Sequence, residues 1–406
     1  MQNLTRLAAR NLWRNRVRTL VTLGAIIFGV CGLILSGGFV RDIFVQLGEA
    51  LIHSQSGHVQ VGREAVFTYG SRTPERYLIE NHQAVRERIA SLPEVKDVMG
   101  RVAFSGLLNN GKTDYPIIAE GVEPARENAL GTHLHLVAGR MLADDDRFGA
   151  MLGEGVARAL RLGPGDQATL LVSTLDGAMN TLDVEVIGVF QSFSKDFDAR
   201  AVRIALPDAQ DLLATTGVSR LVVSLHDTAS TRAVVDSLRP SLAAQELAAR
   251  DWQQLNDFYG KTVALYEQQF GFLKAMVLLM VCLSVINTIN MSLAERSWEF
   301  GTMRALGNRS RVVASLIMSE SVTLGVLGAT IGVVLGVGLA LMISGVGIPM
   351  PPPPNADLGY DAFIRVVPAV VIESWLIGLA ATAVAAIYPA WRLSRQSIID
   401  ALRTRE

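Results

Sequence analysis

Charge is scarce in this chain. Only 18% of its 406 residues are Asp, Glu, Lys or Arg, against about 25% in an ordinary soluble domain. Half are hydrophobic, and the mean hydropathy is +0.32. Intrinsic disorder is excluded, because disordered chains are rich in charge and poor in apolar residues. There are two cysteines, too few for a disulfide scaffold. No short period repeats, which excludes fibrous classes. The length allows two or three domains at roughly 100–200 residues each.

The apolar residues that replace charge are concentrated. A bilayer-spanning helix needs about 20 mostly apolar residues, and four stretches qualify. They are residues 17–40, broken only by Arg18; 272–294, with Lys274 near its start; roughly 312–346, with Glu320 near one end; and roughly 366–389, with Glu373 near the other. About 230 residues of ordinary composition separate the first from the second. An Arg-rich start before an apolar run also suits a signal peptide. This run is longer than usual, no small-x-small site follows it, and Cys31 has no lipoprotein-type context, so a span is expected.

Basic residues orient the spans. Residues 1–18, 295–311 and 390–406 hold 13 basic and four acidic residues, a net of +9. Residues 41–268 hold 22 basic and 30 acidic, a net of −8. Both termini and the 295–311 loop are therefore expected in the cytoplasm, and the insert outside. The overall charge of −1 is a cancellation between these faces.

Two helices read as longer than the membrane. Phe39, Ile43, Leu47 and Leu51 continue at i+4 spacing beyond the first span. A helix from about residue 17 to 53 is some 55 Å long at 1.5 Å per residue, against a hydrocarbon core of about 30 Å. Phe258, Thr262, Leu265 and Gln269 give a weaker stripe before the second span. Both helices are expected to project outside as a stalk, although Gly48, Gly260 and Gly271 would permit a break. The insert reads as mixed α/β. Strands are expected at 57–62, 102–108, 114–122, 168–173 and 182–190, and helices at 83–92, 154–162, 208–215 and 231–249.

Residues 106–113, G-L-L-N-N-G-K-T, fit the phosphate-loop pattern, but the residues after them are strand-like rather than helical. Asn109-Asn110-Gly111 is instead a hairpin signal. His133 and His135 share one strand face near Asp144, Asp145 and Asp146, where a solvated acidic loop is favoured over a metal site. Cys31 and Cys282 fall inside spans as packing residues. No catalytic residue, cofactor ligand or metal ligand is assigned. Gly328, Gly332 and Gly336 form one helix face on which another span is expected to pack. The segment 295–307, E-R-S-W-E-F-G-T-M-R-A-L-G, mixes charge with Trp298, Phe300, Met303 and Leu306. It suits either an anionic lipid surface or docking on a soluble partner.

That segment, followed by Met318-Ser319-Glu320, resembles the FtsX/MacB-type permease family of ABC transporters. The tail Pro389-Ala390-Trp391-Arg392-Leu393-Ser394-Arg395 with Ile399-Asp400-Ala401-Leu402-Arg403 and the Arg-rich start resemble it too. The layout is similar to its LolC/LolE-like branch, without a fused ATPase domain. The resemblance implies four transmembrane α-helices, one plus three, with a large mixed α/β extracytoplasmic domain inserted between helices 1 and 2. The implied division is 1–16, a cytoplasmic amphipathic helix; 17–40, the first span, extending outward to about 53; 54–254, a MacB-like core domain; 255–294, stalk and second span; 295–311, a coupling segment; 312–346, the third span; 347–365, an outer proline-rich loop, whose 347–354 run reads as stiff polyproline; 366–389, the fourth span; and 390–406, the tail.

The resemblance also implies a separate ABC ATP-binding subunit, which holds the ATP, so no cofactor is expected here. It implies a second permease chain as homo- or heterodimer, contact with membrane lipids, a periplasmic carrier or adaptor, and no nucleic acid. Glu295, Arg296, Glu299, Phe300, Met303, Arg304, Leu306 and Gly307 are the implied ATPase-coupling residues. The implied work is release or export of lipoproteins or other lipid-linked or amphiphilic substrates. An FtsX-like regulator of a periplasmic enzyme is the alternative. A purified 41–268 fragment is expected to hydrolyse no ATP; hydrolysis in a phosphate-release assay restores the phosphate-loop reading.

Overall fold

The computed structural model describes residues 16–69, 77–174, 176–352 and 359–395. Residues 1–15 of the expected helix at 1–16, Pro353, Pro354 and residues 396–406 lie outside the described residues. In chain order, α1 (Arg16–Leu51) leads into a π-helical turn (Ile52–Ser56), β1 (Val59–Arg63), α2 (Glu64–Tyr69), α3 (His82–Ala90), β2 (Val95–Asn109), β3 (Asp114–Val122), α4 (Pro124–Leu130), β4 (His135–Gly139), β5 (Gly149–Gly153), α5 (Glu154–Leu160), β6 (Gln167–Ser173), β7 (Met179–Gln191), α6 (Lys195–Asp198), β8 (Ala201–Ala205), α7 (Leu206–Leu213), β9 (Arg220–Leu225), α8 (Thr231–Ala243), β10 (Leu247–Asp251) and α9 (Trp252–Leu255). Then come α10 (Asp257–Glu295), α11 (Ser297–Ala305), α12 (Ser310–Ser344), β11 (Ile348–Met350), β12 (Tyr360–Ala362) and α13 (Pro368–Arg395). The chain forms two units, 1–44 with 263–350 and 361–406, and 45–262 with 351–360.

The first unit contains the apolar helices. α1, α10, α12 and α13 each include a stretch long and apolar enough to cross a membrane. α1 and α10 run for about 54 and 58 Å at 1.5 Å per residue, and neither breaks at Gly48, Gly260 or Gly271. The bundle core takes Ile26, Val30 and Ile34 from α1, Val281 and Val285 from α10, Leu316 and Ile317 from α12, and Ala381 and Ala385 from α13. In lipid, close van der Waals packing holds such helices together. Gly328, Gly332 and Gly336 lie against α1: a Cβ there would meet Ile26 at 2.8 Å, Val30 at 2.9 Å and Ile34 at 3.2 Å. Polar side chains pair across the bundle: Thr22 with Thr288 at 2.6 Å, and Lys274 with Glu373 at 2.5 Å. Buried Asp42 accepts from Arg365 Nε at 2.7 Å and from the Phe363 amide at 2.8 Å.

The second unit is a ten-stranded sheet built as two halves that share β2. In the first half the order is β10-β1-β9-β2, all antiparallel. With α3 and α8 between the strands, this is a βαββαβ unit of order 4-1-3-2, the split-βαβ arrangement. Residues 114–213 are inserted between its second and third strands. There the far half of β2 pairs β3 and β6, while β3–β8 and β5–β7 run parallel. Strand alternation explains the core: Val102, Phe104 and Leu108 point one way from β2 and are buried.

Three expectations are corrected here. The helix at 231–249 stops at Ala243, and Leu247–Asp251 is a strand paired with β1; the alanine-rich run favours helix, but pairing to β1 overrides propensity. The chain reverses at Glu246, which has φ of 55°. The 347–354 run is not polyproline throughout, because Ile348–Met350 pairs with Tyr360–Ala362. His133 and His135 do not share a strand face: His133 stacks on His53 at 5.5 Å, and His135 opens β4 opposite Gln191. Asp146 is held by Arg140 at 2.5 and 2.6 Å. The G-L-L-N-N-G-K-T segment forms the β2–β3 hairpin, and the Lys112 and Thr113 amides bond to Asn110 Oδ1 at 3.0 and 2.9 Å. Those amides are committed to the turn rather than open to phosphate.

The end of α1 is gripped by buried charge. Arg101 donates to the Gln55 carbonyl, and Arg203 to the Ser54 carbonyl at 3.1 Å. Both carbonyls belong to the π-helical turn. Glu127 accepts from Arg101 at 2.6 and 3.0 Å and pairs with Arg203 at 3.3 Å. Glu120 lies 3.8 Å from Arg101 and 3.7 Å from Arg203. The turn closes at Gly57, whose φ of 63° suits glycine.

Gly332→Val is expected to lower stability by about 1–3 kcal/mol, the usual cost of overpacking. Gly338→Val, with nothing within 4 Å of its Cβ position, is expected to be neutral within about 0.5 kcal/mol. Thermal unfolding of the detergent-solubilised chain measures both.

Candidate coupling site

The segment between the second and third spans folds as α11, a helix of nine residues. Two devices fix its ends. At the start, Arg296 occupies the N-cap position. Its guanidinium donates to Glu299 at 2.9 Å and to Glu320 of α12 at 3.1 Å, and lies 5.0 Å from the Phe300 ring centroid. At the other end, the Gly307 amide bonds to the Arg304 carbonyl at 3.0 Å and the Asn308 amide to the Met303 carbonyl at 3.1 Å. These are the two bonds of a Schellman cap, which needs a left-handed residue. Gly307 supplies it with φ of 93°.

The expected coupling residues divide between two faces. Arg296 and Phe300 turn inward at i and i+4, and Phe300, 2% exposed, packs in the core with Val313, Leu316 and Ile317. Met303 is half-buried against the same core. Glu299 and Arg304 are half-buried, while Glu295 and Gly307 are exposed. Leu306 is 80% exposed and Trp298 47% exposed. Trp298, absent from the expected coupling residues, therefore belongs to the outward face. A large aromatic amid charged residues in a short loop was the signal that marks it. Glu320 belongs to the site as well, because it anchors Arg296 from the next helix.

This arrangement makes α11 a rigid peg. Its inward face is bonded and packed to α12, and its outward face offers a large apolar side chain at each end. Close-packed interiors transmit displacement rather than absorbing it. Phe300 and the Arg296–Glu320 pair join α11 to α12.

Residues 19–241 match the MacB-like periplasmic core domain, and residues 271–398 match the FtsX-like permease C-terminal domain. The lipoprotein-releasing system transmembrane protein LolE of Haemophilus influenzae is 22% identical over 80% of this chain and 76% of that protein. The macrolide export ATP-binding/permease protein MacB of Bdellovibrio bacteriovorus is 25% identical over 97% of this chain and 60% of that protein. The crystal structure of the periplasmic region of MacB from Actinobacillus actinomycetemcomitans covers 52% of this chain and 94% of its own, at 13% identity and a TM-score of 0.38. Four apolar helices together with permease relatives make this a multi-pass inner-membrane protein. The chain thus belongs to the family that joins a MacB-like periplasmic core domain to an FtsX-like permease domain, and is an ABC transporter permease of the MacB/LolCE/FtsX type.

Proposed function

We propose that this chain is the membrane subunit through which a separate ABC ATP-binding subunit drives work on the outer side of an inner membrane. The ATP-binding subunit holds the ATP and docks on α11; this chain holds no cofactor. The observation that carries the reading is the two-faced peg: Leu306 and Trp298 are exposed while Phe300 and Arg296 are locked to α12. An apolar knob beside charged residues suits insertion into a groove on a soluble partner. The net +9 on the flanking segments supports a cytoplasmic position for α11 and both termini.

Two permease chains, identical or not, pair in the working complex, and motion passes along α1 and α10 to the extracytoplasmic domain. The cargo is a lipoprotein or another lipid-linked or amphiphilic molecule, received by a periplasmic carrier or adaptor. The names of LolE and LolC, lipoprotein-releasing proteins that this chain covers to 76% of their length, support that class. MacB and PvdT, named for macrolide and pyoverdine export, support the broader amphiphilic class.

Leu306→Asp tests the docking face. Leu306 is 80% exposed, so the change is expected to leave stability within about 0.5 kcal/mol. Co-purification of the ATP-binding subunit should be lost, and stimulated ATP hydrolysis should drop by about tenfold, the effect of some 1.4 kcal/mol. Survival of both sinks the assignment. Glu320→Ala addresses the locked face instead. It leaves the Arg296 guanidinium short of an anion in a mostly buried site and is expected to cost about 3 kcal/mol. The Arg296→Met/Glu320→Leu pair should cost less, as thermal unfolding will show.

A further inference from the structure

A second polar network sits where α1 enters the β domain, and its hydrogen bonds fix which rings carry protons. His53 Nε2 lies 3.3 Å from Glu49 Oε2, and His53 Nδ1 lies 3.0 Å from the Leu130 carbonyl. Both partners only accept, so the form of His53 that satisfies both contacts is the imidazolium, with both ring nitrogens donating. His58 is the opposite case. Its Nδ1 accepts from the Leu225 amide at 3.2 Å, which leaves Nε2 to donate to Thr228 Oγ1 at 3.1 Å. Thr228 then donates to Glu49 Oε1 at 2.9 Å. His58 is therefore neutral, and it is 2% exposed. The His58 ring stands 5.8 Å from His53, and the His133 ring stacks on His53 at 5.5 Å.

We propose that this joint is a proton-operated latch on the π-helical turn, closed by one charged histidine and two neutral ones. Six charged or titratable groups face one another here: Glu49 and His53 from the end of α1, His58 from the segment before β1, Lys96 from β2, His133 from the segment after α4, and Asp227 from the segment after β9. The Arg101–Glu127 pair lies behind the same turn, bonded to Gln55.

A proton on His58 Nδ1 sets a donor against the Leu225 amide donor and adds a second positive charge beside His53. A proton on His133 stacks two imidazolium rings. Either change breaks the closed geometry. Loss of a proton from His53 removes one of its two bonds instead. Burial, and then the His53 charge, push His58 down from 6.5 to about 4, and the same causes lower His133. A neutral form favoured in this way contributes stability that is present above pH 6.5 and lost as the pH falls through about 4. On the alkaline side the latch weakens once His53 gives up its proton. The joint is tightest near neutral pH and loosens from both directions.

Amide hydrogen exchange on the full chain in lipid nanodiscs tests this, with rates corrected by an unstructured reference peptide. Protection across residues 52–58 should fall about tenfold between pH 7 and pH 4.5, while β8 changes little. His58→Gln, which keeps an acceptor and a donor but no titratable ring, should flatten the acid limb. Constant wild-type protection, or an unchanged acid limb in the variant, overturns the proposal. If His58→Gln does not fold, the imidazole NMR signals of the wild-type chain decide. A charged His53 beside neutral His58 and His133 at pH 7 supports the latch, and a neutral His53 rejects it.

Discussion

A helix ends in carbonyls that nothing inside it can satisfy. At the end of α1 those of Ser54 and Gln55 are taken by Arg203 and Arg101. Much of the second unit is arranged to keep these two guanidiniums where they are. A buried ion is tolerable only when it is paired. Arg101 comes from β2, Arg203 from β8, Glu120 from β3 and Glu127 from α4, so strands from both halves of the sheet must converge on one point. Arg203 also lies over the rings of Phe190 and Phe197, at 5.4 and 6.0 Å. The negative end of the helix dipole adds a further partner for the positive charge. The grip thus ties α1 to the domain by electrostatics in a water-poor site, where such bonds are strong and their geometry is fixed.

The first unit meets its constraint differently. Lipid offers no hydrophobic drive to bring helices together, so contact must come from shape. Gly328, Gly332 and Gly336 let the backbone of α12 approach α1 until Ile26, Val30 and Ile34 fill the gap. α11 is held to α12 by the same combination of packing and one ion pair. Both units place a charged network at a helix terminus: Arg296 at the start of α11, and Arg101 with Arg203 at the end of α1.

Hydropathy alone marks all four long helices, because each needs only length and apolar residues. The glycine spacing on α12 was also readable, since a four-residue repeat defines a face. In the second unit, strand 114–122 was readable from the Asn109-Asn110-Gly111 hairpin signal before it, and the helix expected at 154–162 runs Glu154–Leu160. Tertiary pairing was not readable. Leu247–Asp251 carries a helix-favouring sequence and is a strand only because β1 lies beside it. The two faces of α11 were hidden for another reason: a helix of two and a half turns has too few residues to fix a phase, and Phe300 and Leu306 look alike until packing separates them. The buried charge cluster was scattered over strands far apart in sequence. One local clue existed, since a lone arginine inside A-V-R-I-A and G-R-V-A-F is unusual unless it is paired.

The strand order has a consequence for how the molecule is made. β1 lies between β9 and β10, and neither neighbour exists when β1 emerges. β1 ends at Arg63 and β9 starts at Arg220, so at about 5–20 residues per second of synthesis the wait is roughly 10–30 s. For that time β1 exposes two unpaired edges, the condition under which strands pair with the wrong chain. The inserted half, 114–213, has its β3–β8 and β5–β7 partners within itself and can form during the wait. Assembly is then ordered from the middle outward, and the ends of the domain close last, as the chain begins α10.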